Sequence, residues 1–420
     1  MDPDRRKTLL VLSQVYVPDP ASVGQHMADA AEEMARRGHR VVVLTSRNGY
    51  DDPRVRYERR ETLRGVDVRR LRLSSFGKGS IAIRLLAGAL FLVQAVARGL
   101  LLRRLDCVLV STSPPMCGLA GVLIGAVRRV PVKYWVMDLN PDQMVALGKL
   151  REDSLAVRAF DLLNRIVLRR ADDVVVLDRF MAARLARKGE IRGTLTVLPP
   201  WPLDDHLEPV PHAANPFRRD QGLDGRFVVM YSGNHGPSNP IATALAAAAE
   251  LRGDASLLFL FVGGGIGKAE VEEAIRAGAS NVRSLPYQPL SAIRYSLSAA
   301  DLHLVTVGDG VVGIVHPCKV YGAMAVGRPI LLLGPSPSHV ADLIDEHRIG
   351  WRVDHGDVAG AVRVLEEIRR TTDEERARMG ERARQAIRSH LSKRALCGAL
   401  CDVLERAGQG SSIALRTDTT

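Results

Sequence analysis

Aromatic residues and cysteines are scarce in this chain of 420 residues. Phe, Trp and Tyr make up 5% of it, and no basic run is interleaved with aromatics, so nucleic acid is disfavoured as a partner. The five cysteines, an odd number, show neither disulfide-like nor zinc-like spacing, which favours a reducing cytoplasm. Cys397 and Cys401 lie one helical turn apart and are expected in the core or on a helix face, because no His or Cys pair completes a metal site.

A long uninterrupted apolar segment is also missing. The beginning, MDPDRRKTLLVLSQVYV, lacks the hydrophobic region and cleavage site of a secretion signal, so none is expected. The longest apolar stretch, residues 81–102, contains Arg84 and Arg98, and the thirteen uncharged residues between them are too few to cross about 30 Å of hydrocarbon. With Arg103 and Arg104 it can form an interfacial helix on an anionic bilayer; a buried helix of an α/β domain is an equal alternative. We therefore expect a cytoplasmic protein with peripheral contact at the inner face of the plasma membrane.

Basic residues are in excess. Lys and Arg number 58 against 47 Asp and Glu, a net charge of +11, which fits phosphorylated substrates or an anionic membrane surface. Hydrophobic residues at 46% and charged residues at 25% are typical of a folded globular protein. Because 420 residues exceed what one core usually supports, two domains of roughly 150–200 residues each are expected.

The first half of the chain alternates apolar runs with helical segments. Residues 8–15, 17–24, 25–37 and 41–45 predict a strand, a loop, a helix and a second strand, the βαβ unit of a parallel sheet. Further strands are predicted at residues 66–71, 107–111, 132–137, 174–177 and 194–198. Residues 1–198 are therefore expected to form a doubly wound α/β domain.

The second half repeats this alternation after a proline-rich linker at residues 199–216. Strands are predicted at residues 227–232, 257–262, 282–285, 302–307 and 330–333, and helices at 240–252, 268–277, 357–368, 373–387 and 392–407. A second parallel α/β domain is expected at residues 217–390, followed by a C-terminal helix at 391–407. The small, polar tail at 408–420 is expected to be disordered.

Two glycine-containing loops follow strands of the second domain, where open parallel sheets bind ligands. The first loop consists of Ser232, Gly233, Asn234, His235 and Gly236, and the second contains Gly263, Gly264 and Gly265. Glycine permits positive φ and close approach of the backbone to a ligand, although a merely tight turn is the alternative. The second loop is not GxGxxG in a first βαβ unit, so a dinucleotide site is poorly supported.

A polar loop that opens a small-residue helix is the most informative segment, GIVHPCKVYGAMAVGRP at residues 313–329. Lys319 is predicted in the first helical turn, where a cation opposes the helix dipole, so an anionic ligand such as a phosphate is expected to compensate it. A plain helix start with Lys319 solvated and Tyr321 packed is the alternative. Asp309 is the nearest carboxylate in the preceding loop. A plain turn residue without a role in binding is the alternative interpretation.

The loop DLNPD at residues 138–142 follows a strand of the first domain. Asp142 is interpreted as the N-cap of the next helix. Asp138 has no such structural role and stands at a strand end, so it is expected to face a ligand.

These loops, in this order, resemble the GT-B glycosyltransferases, specifically the retaining family-four type of exopolysaccharide, O-antigen and colanic-acid biosynthesis. The resemblance covers residues 9–400 and is carried by SQVYVPDPASVGQHMADAAEEMARRGHRVVVLTS, STSPP, MDLNPD, RRADDVVVLD, VLPPW, YSGNHG, FVGGG and HPCKVYGAMAVGRPIL. It implies two Rossmann-like domains facing each other across a cleft, and transfer of a sugar from a nucleotide diphosphate-sugar to a lipid-linked or glycan acceptor. Retention is implied by family, and neither a metal nor another cofactor is expected, because Lys and helix N-termini can neutralise the diphosphate.

The resemblance also implies roles for particular residues. Asp138, Lys319 and His316 are the expected catalytic residues. Donor contacts are expected from Ser232, Gly233, Asn234, His235, Gly236, Gly263, Gly264, Gly265, Asp309, Pro317, Lys319 and Tyr321. Acceptor contacts are expected from Gly24, Gln25, Asn140 and Asp142.

One position departs from the family. Many relatives carry a Glu-x7-Glu pair whose second Glu contacts the donor ribose, whereas this chain has Ile314 and Gly322 at those positions. A catalytically impaired sugar-nucleotide-binding or scaffold protein of a polysaccharide assembly complex is therefore a second hypothesis. A GT-B epimerase or phosphorylase is disfavoured, because no lysine-held cofactor sequence is found.

Overall fold

The computed structural model describes residues 6–19, 21–49, 52, 54–72, 81–203 and 208–407. The chain forms two compact units, Met1–Pro200 with Arg394–Thr420, and Trp201–Lys393. The tail at residues 408–420, predicted to be disordered, lies outside the described residues.

The first unit is built on an eight-stranded sheet in the order β3-β4-β2-β1-β5-β6-β7-β8. Its strands are β1 (Thr8–Leu12), β2 (Arg40–Ser46), β3 (Arg60–Leu63), β4 (Val66–Leu71), β5 (Cys107–Ser111), β6 (Val132–Trp135), β7 (Asp173–Val176) and β8 (Thr194–Val197). Its helices are α1 (Ser22–Arg36), α2 (Ile81–Leu100), α3 (Cys117–Arg128), α4 (Asp142–Ala146), α5 (Leu155–Arg170) and α6 (Arg179–Lys188). Strands β1, β5, β6 and β7 are buried along their whole length, as expected of parallel strands covered on both faces.

Strand β3 is absent from the predictions. It pairs antiparallel with β4 at the edge of the sheet, and its sequence RETL is half-exposed and too polar to stand out as a strand. Arg64 and Gly65 form the turn between the two strands with φ values of 45° and 86°. The hairpin therefore depends on local turn geometry more than on an apolar pattern.

The second unit contains a six-stranded parallel sheet in the order β11-β10-β9-β12-β13-β14. Its strands are β9 (Phe227–Asn234), β10 (Leu257–Gly264), β11 (Val282–Leu285), β12 (Leu302–Thr306), β13 (Ile330–Leu333) and β14 (Gly350–Val353). Its helices are α7 (Pro216–Asp220), α8 (Ala242–Glu250), α9 (Lys268–Arg276), α10 (Leu290–Ser298), α11 (Lys319–Ala325), α12 (His339–His347), α13 (Val358–Arg370) and α14 (Asp373–Ser389). The predicted pair of Rossmann-like parallel-sheet domains is thus confirmed, although the half-exposed edge strand β14 was not predicted.

The last helix, α15 (Lys393–Glu405), packs in the first unit from its second residue onward. Arg37, the C-cap residue of α1, holds it through an ion pair of 2.7 Å between Nη1 and Asp402 Oδ1. Cys397 and Cys401 are free thiols buried in this packing, which confirms their prediction as core residues.

Helix α2 is the apolar segment that the sequence suggested for a membrane surface. It buries Ala87, Phe91 and Ala95 against the first unit, while Leu86 and Val93 are exposed by 57% and 68%. Helix α2 therefore packs on the α/β domain with one face and exposes apolar side chains on the other. No helix in the described part of the chain has the length and hydropathy needed to cross a bilayer.

Candidate active site

The carboxyl ends of β9 and β10 bring the two predicted glycine loops together. Both strands run two residues further than predicted, and Gly233 pairs with Gly263 in register. Their φ values are 139° and 136°, in the left-handed region that favours glycine. A Cβ atom on Gly263 would lie 2.0 Å from the carbonyl oxygen of Gly233, so a side chain here would force the two strand ends apart.

Lys319 lies directly beside this pair of glycines. It is the first residue of α11, as predicted, and a Cβ on Gly233 would stand 2.6 Å from its Cε. Its Nζ lies 5.0 Å from the ring centroid of Tyr231, and burial lowers the pKa of the ammonium group to about 8. Among the described residues no carboxylate lies within 4.0 Å of Nζ, so the charge is left for an external anion.

A cavity of ≈ 260 Å³ opens next to Lys319 within the second unit. Its lining includes Ser232, Gly233, Tyr287, Gln288, Ser296 and Gly322. The Ser296 side chain is 2% exposed, and its hydroxyl has no hydrogen-bond partner in the described structure. A Cβ on Gly322 would meet only Leu297 Cδ1, at 3.4 Å, so the missing side chain at this position leaves open space.

Tyr287 and Ser296 were not predicted as site residues. Tyr287 follows β11 and is 60% exposed. Its ring lies over Gly264, and a Cβ atom on Gly264 would stand 3.0 Å from that ring. Ser296 lies on α10, where its sequence context YSLSAAD is that of an ordinary packed helix. The exposed aromatic after a strand could have been noticed, whereas nothing in the sequence marks the serine.

The remaining residues of the first glycine loop hold the loop in shape. His235 is buried, and its backbone N–H donates to Gly264 O at 2.7 Å while Nδ1 lies 3.2 Å from the same oxygen. Burial lowers the pKa of His235, which keeps the ring neutral. Gly265 of the second glycine loop has a φ of 120° and leaves room for the Asn234 side chain. A Cβ atom on Gly265 would lie 2.3 Å from Asn234 Oδ1. Gly236 is half-buried in the same turn.

His316 and Tyr321 form a second cluster, with a histidine that was not predicted. The Tyr321 hydroxyl lies 2.8 Å from His316 Nε2 and 2.9 Å from Nε2 of His339, the first residue of α12. Tyr321 is 1% exposed and does not line the cavity beside Lys319. Pro317 is half-buried and Asp309 is exposed, and neither belongs to the cavity lining.

Asp138 belongs to the first unit and stands after the end of β6. Its backbone N–H donates to Thr112 Oγ1 at 3.2 Å, and burial raises the pKa of its carboxyl group to about 6. A small pocket there is lined by Asp138, Asn140, Tyr134 and Asn164, and Asn164 Nδ2 donates to the Asn140 carbonyl at 2.7 Å. Such a carboxyl group changes charge near neutral pH, as a site residue often does.

Three other residues predicted for the acceptor site also lie in the first unit, and two of them, Gly24 and Asp142, have packing or ion-pair contacts there. The N-cap of α4 is Pro141, so the N-cap interpretation of Asp142 is wrong. Asp142 is the first helical residue and pairs with Lys188 at 2.7 Å. Helix α1 begins three residues earlier than predicted, and Gly24 packs there so closely that a Cβ would lie 3.0 Å from Tyr16 N. Gln25 follows it, half-buried.

Comparison with known proteins agrees with this fold. Residues 22–201 match the glycosyl transferase 4-like domain family. WbjE of Pseudomonas aeruginosa, named as a probable glycosyltransferase, is 29% identical over 280 residues, 66% of this chain and 69% of that protein. WcaI of Escherichia coli (strain K12), named as a colanic acid biosynthesis glycosyl transferase, is 26% identical over 352 residues, 80% of this chain and 86% of that protein.

Solved structures show the same architecture at lower identity. Sucrose-phosphate synthase of Thermosynechococcus elongatus superposes with a TM-score of 0.74 at 16% identity, covering 95% of this chain and 98% of that one. Anabaena HepE in complex with UDP-glucose gives a TM-score of 0.70 at 16% identity, covering 94% of this chain and 99% of that one.

The chain is therefore a glycosyltransferase with the GT-B fold. The predicted resemblance to the GT-B glycosyltransferases of polysaccharide biosynthesis is confirmed.

Proposed function

We propose that the second unit binds a nucleotide diphosphate-sugar and that the protein transfers the sugar, with retention of anomeric configuration, to an acceptor of cell-surface polysaccharide or glycolipid assembly. The observation that carries the proposal is Lys319, a half-buried ammonium without a carboxylate partner in the described structure, beside two strand-end glycines and an open cavity. The HepE complex with UDP-glucose supports a nucleotide-sugar donor, and the similarity to WcaI, named for colanic acid biosynthesis, supports a polysaccharide product.

The donor diphosphate is assigned to Lys319 and the backbone around Gly233. A charge-assisted contact of this kind contributes roughly 1.5–3 kcal/mol, more than a neutral hydrogen bond. The glycines let the phosphate oxygens approach the backbone, because no side chain stands between them and the strand ends. We propose that Lys319 and these backbone groups together neutralise the leaving diphosphate without a metal ion.

The nucleoside is assigned to the cavity beyond Lys319. The Tyr287 ring offers an exposed aromatic face, and Ser296 offers a hydroxyl that is buried and unpaired in the described structure. Gly322 stands where the family resemblance implies a ribose-binding Glu, and the space that it leaves belongs to this cavity. We propose that the Ser296 hydroxyl takes over part of the recognition that a carboxylate would provide.

The acceptor is assigned to the first unit, with Asp138 as the residue that acts at the reacting hydroxyl. Its position after a buried strand and its pKa of about 6 support this role. Asn140, whose carbonyl is already fixed by Asn164, supports the wall of the same pocket. His316, held by Tyr321, is proposed as a further catalytic residue that contacts the transferred sugar.

Peripheral membrane contact is proposed for the outer face of α2 and α3. Exposed apolar side chains on these neighbouring helices are Ile83, Leu85, Leu86, Val93, Leu123 and Val127. Arg128 and Arg129 follow at the end of α3, and Arg128 donates to the Leu100 carbonyl at the end of α2, so basic groups lie close to these two helices. This combination is typical of surfaces that lie on anionic bilayers, and it suits a lipid-linked acceptor.

Release of nucleoside diphosphate tests the proposal directly. The purified chain is incubated with a panel of nucleotide sugars in the presence and absence of a lipid-linked acceptor extract. We expect release from one donor that depends on the acceptor, together with a glycosylated lipid product. Donor binding without turnover under any acceptor would instead favour the scaffold protein suggested by Ile314 and Gly322.

A further inference from the structure

Two histidines and a glutamate meet at one edge of the second unit, in a cluster that the proposed glycosyl transfer does not use. Glu346, His347 and His390 each present one ligand atom, and these three atoms lie within 4.8 Å of one another. The His347 and His390 ring centroids are 5.5 Å apart, and His347 Nε2 is 3.9 Å from Glu346 Oε1. The distance between His347 Nε2 and Glu346 Oε1 is too long for a hydrogen bond, and all three groups can act as metal ligands.

The state of His347 distinguishes this cluster from an ordinary group of surface side chains. Its side chain is 13% exposed, and its Nε2 is buried without a hydrogen-bond partner in the described part of the chain. Leaving a buried nitrogen unpaired is unfavourable, and a bound cation would satisfy it. Glu346 is 66% exposed, so its carboxylate can move to admit an ion and then close on it.

The surroundings orient the second imidazole. Ser389 Oγ lies 2.9 Å from His390 Nδ1, so the other ring nitrogen, Nε2, is left for a metal. In metal-binding histidines the nitrogen that does not bind the metal is commonly held by such a hydrogen bond. His347 ends α12 and His390 caps the end of α14, so two helix C-termini direct their negative dipole ends toward the cluster. The opposing charge is Arg382, whose guanidinium donates to the His347 and Arg348 carbonyls and lowers the affinity for a cation.

We propose that Glu346, His347 and His390 form a binding site for a divalent transition metal such as Zn²⁺, with water as the fourth ligand. Two imidazoles and one carboxylate suit Zn²⁺ better than the all-oxygen sites of Mg²⁺ or Ca²⁺. The ion would join the end of α12 to the end of α14 and so stabilise the second unit. This site is independent of the proposed donor cavity and would persist if that assignment failed.

Calorimetric titration of the full chain with ZnCl₂ tests the site. We expect one equivalent of Zn²⁺ to bind and to raise the unfolding temperature by several degrees at saturation. The double substitution His347→Ala with His390→Ala should abolish this binding event and the thermal shift. Zn²⁺ binding of unchanged affinity and stoichiometry in the double variant, or no binding to the unmodified chain, would overturn the proposal.

Milder substitutions keep the test valid if the double variant folds poorly. Glu346→Gln should weaken Zn²⁺ binding about tenfold or more, whereas Asp345→Asn, at an exposed neighbouring carboxylate, should leave it unchanged. Ser389→Ala, which removes the partner of His390 Nδ1 together with a hydrogen bond to the Ala386 carbonyl, should weaken binding about tenfold. Equal effects of Glu346→Gln and Asp345→Asn would show a general charge effect and would refute a coordinating role for Glu346. Substituting Mg²⁺ for Zn²⁺ should give no comparable binding.

Discussion

At the scale of single residues, Ser296 combines a structural cost with a proposed benefit. Its hydroxyl is buried and unpaired in the described structure, a state that costs about 1–3 kcal/mol unless a ligand supplies the partner. We expect the Ser296 hydroxyl to serve ligand binding, because replacing serine by an apolar residue of similar size would not lower the stability of the fold.

Ser296→Ala is therefore expected to separate binding from stability. The variant should bind its nucleoside diphosphate roughly 2- to 10-fold more weakly, the equivalent of one neutral hydrogen bond, while its unfolding temperature stays equal or rises. Inorganic pyrophosphate, which lacks the nucleoside, should bind the variant and the unmodified chain equally. Calorimetry with both ligands measures this, and an equal loss for pyrophosphate would place Ser296 elsewhere.

Asp138 is the residue whose ionisation is expected to control turnover. Burial raises its pKa from 3.8 to about 6, so the carboxylate form that the proposed role requires is lost as pH falls through 6. Asp138→Asn should lower turnover at least tenfold without changing donor affinity, and it should remove an inflection near pH 6 from the rate profile. An Asp138→Asn variant that keeps this inflection would assign it to another group.

The same shift affects stability with the opposite sign from an ion-paired carboxylate. A folded-state pKa above the unfolded value of 3.8 means that the native state binds more protons between pH 4 and 6. The contribution of Asp138 to stability is therefore present below pH 4 and is lost as pH rises through 6.

At the scale of elements, helix α2 presents an unusual outer face. One side packs on the domain through Ala87, Phe91 and Ala95, whereas Leu85 and Leu86 are exposed by 52% and 57%. Burial of exposed leucines in a bilayer is favourable by up to about 1.5–3 kcal/mol each. The helix can therefore contribute to membrane contact without leaving the domain.

Replacing Leu85 and Leu86 by serine should weaken sedimentation with anionic vesicles about tenfold or more and leave the unfolding temperature unchanged. A matched control is Ile275→Ser, which changes an exposed apolar residue of the second unit. Binding should also fall as salt increases from 0.05 to roughly 0.3 M, because neighbouring arginines contribute. Absence of vesicle binding by the unmodified chain at low salt would remove the membrane contact from the account.

At the scale of the whole molecule, the fold follows from sequence more completely than the site does. The buried parallel strands β5 and β13 are almost entirely apolar, so their limits were predicted from sequence alone. The edge strands β3 and β14 are half-exposed and carry no such pattern. Their pairing depends on neighbours that only the folded sheet provides.

The site divides in the same way. Gly233, Gly263 and Lys319 could be predicted because strand-end loops and helix starts have recognisable sequence signals. Ser296 and His339 could not, since each lies on a helix whose local sequence is unremarkable. Only the fold brings Ser296 to the cavity and His339 to Tyr321.

The affinity of Lys319→Ala for the donor nucleotide tests the central claim most directly. Calorimetric titration of the unmodified chain, Lys319→Ala and the exposed-lysine control Lys149→Ala with nucleoside diphosphates and pyrophosphate gives the comparison. We expect Lys319→Ala to bind both ligands roughly 10- to 100-fold more weakly, with unchanged or increased thermal stability, and Lys149→Ala to behave as the unmodified chain. Equal affinities for Lys319→Ala and the unmodified chain would contradict the assignment of the donor diphosphate to this site.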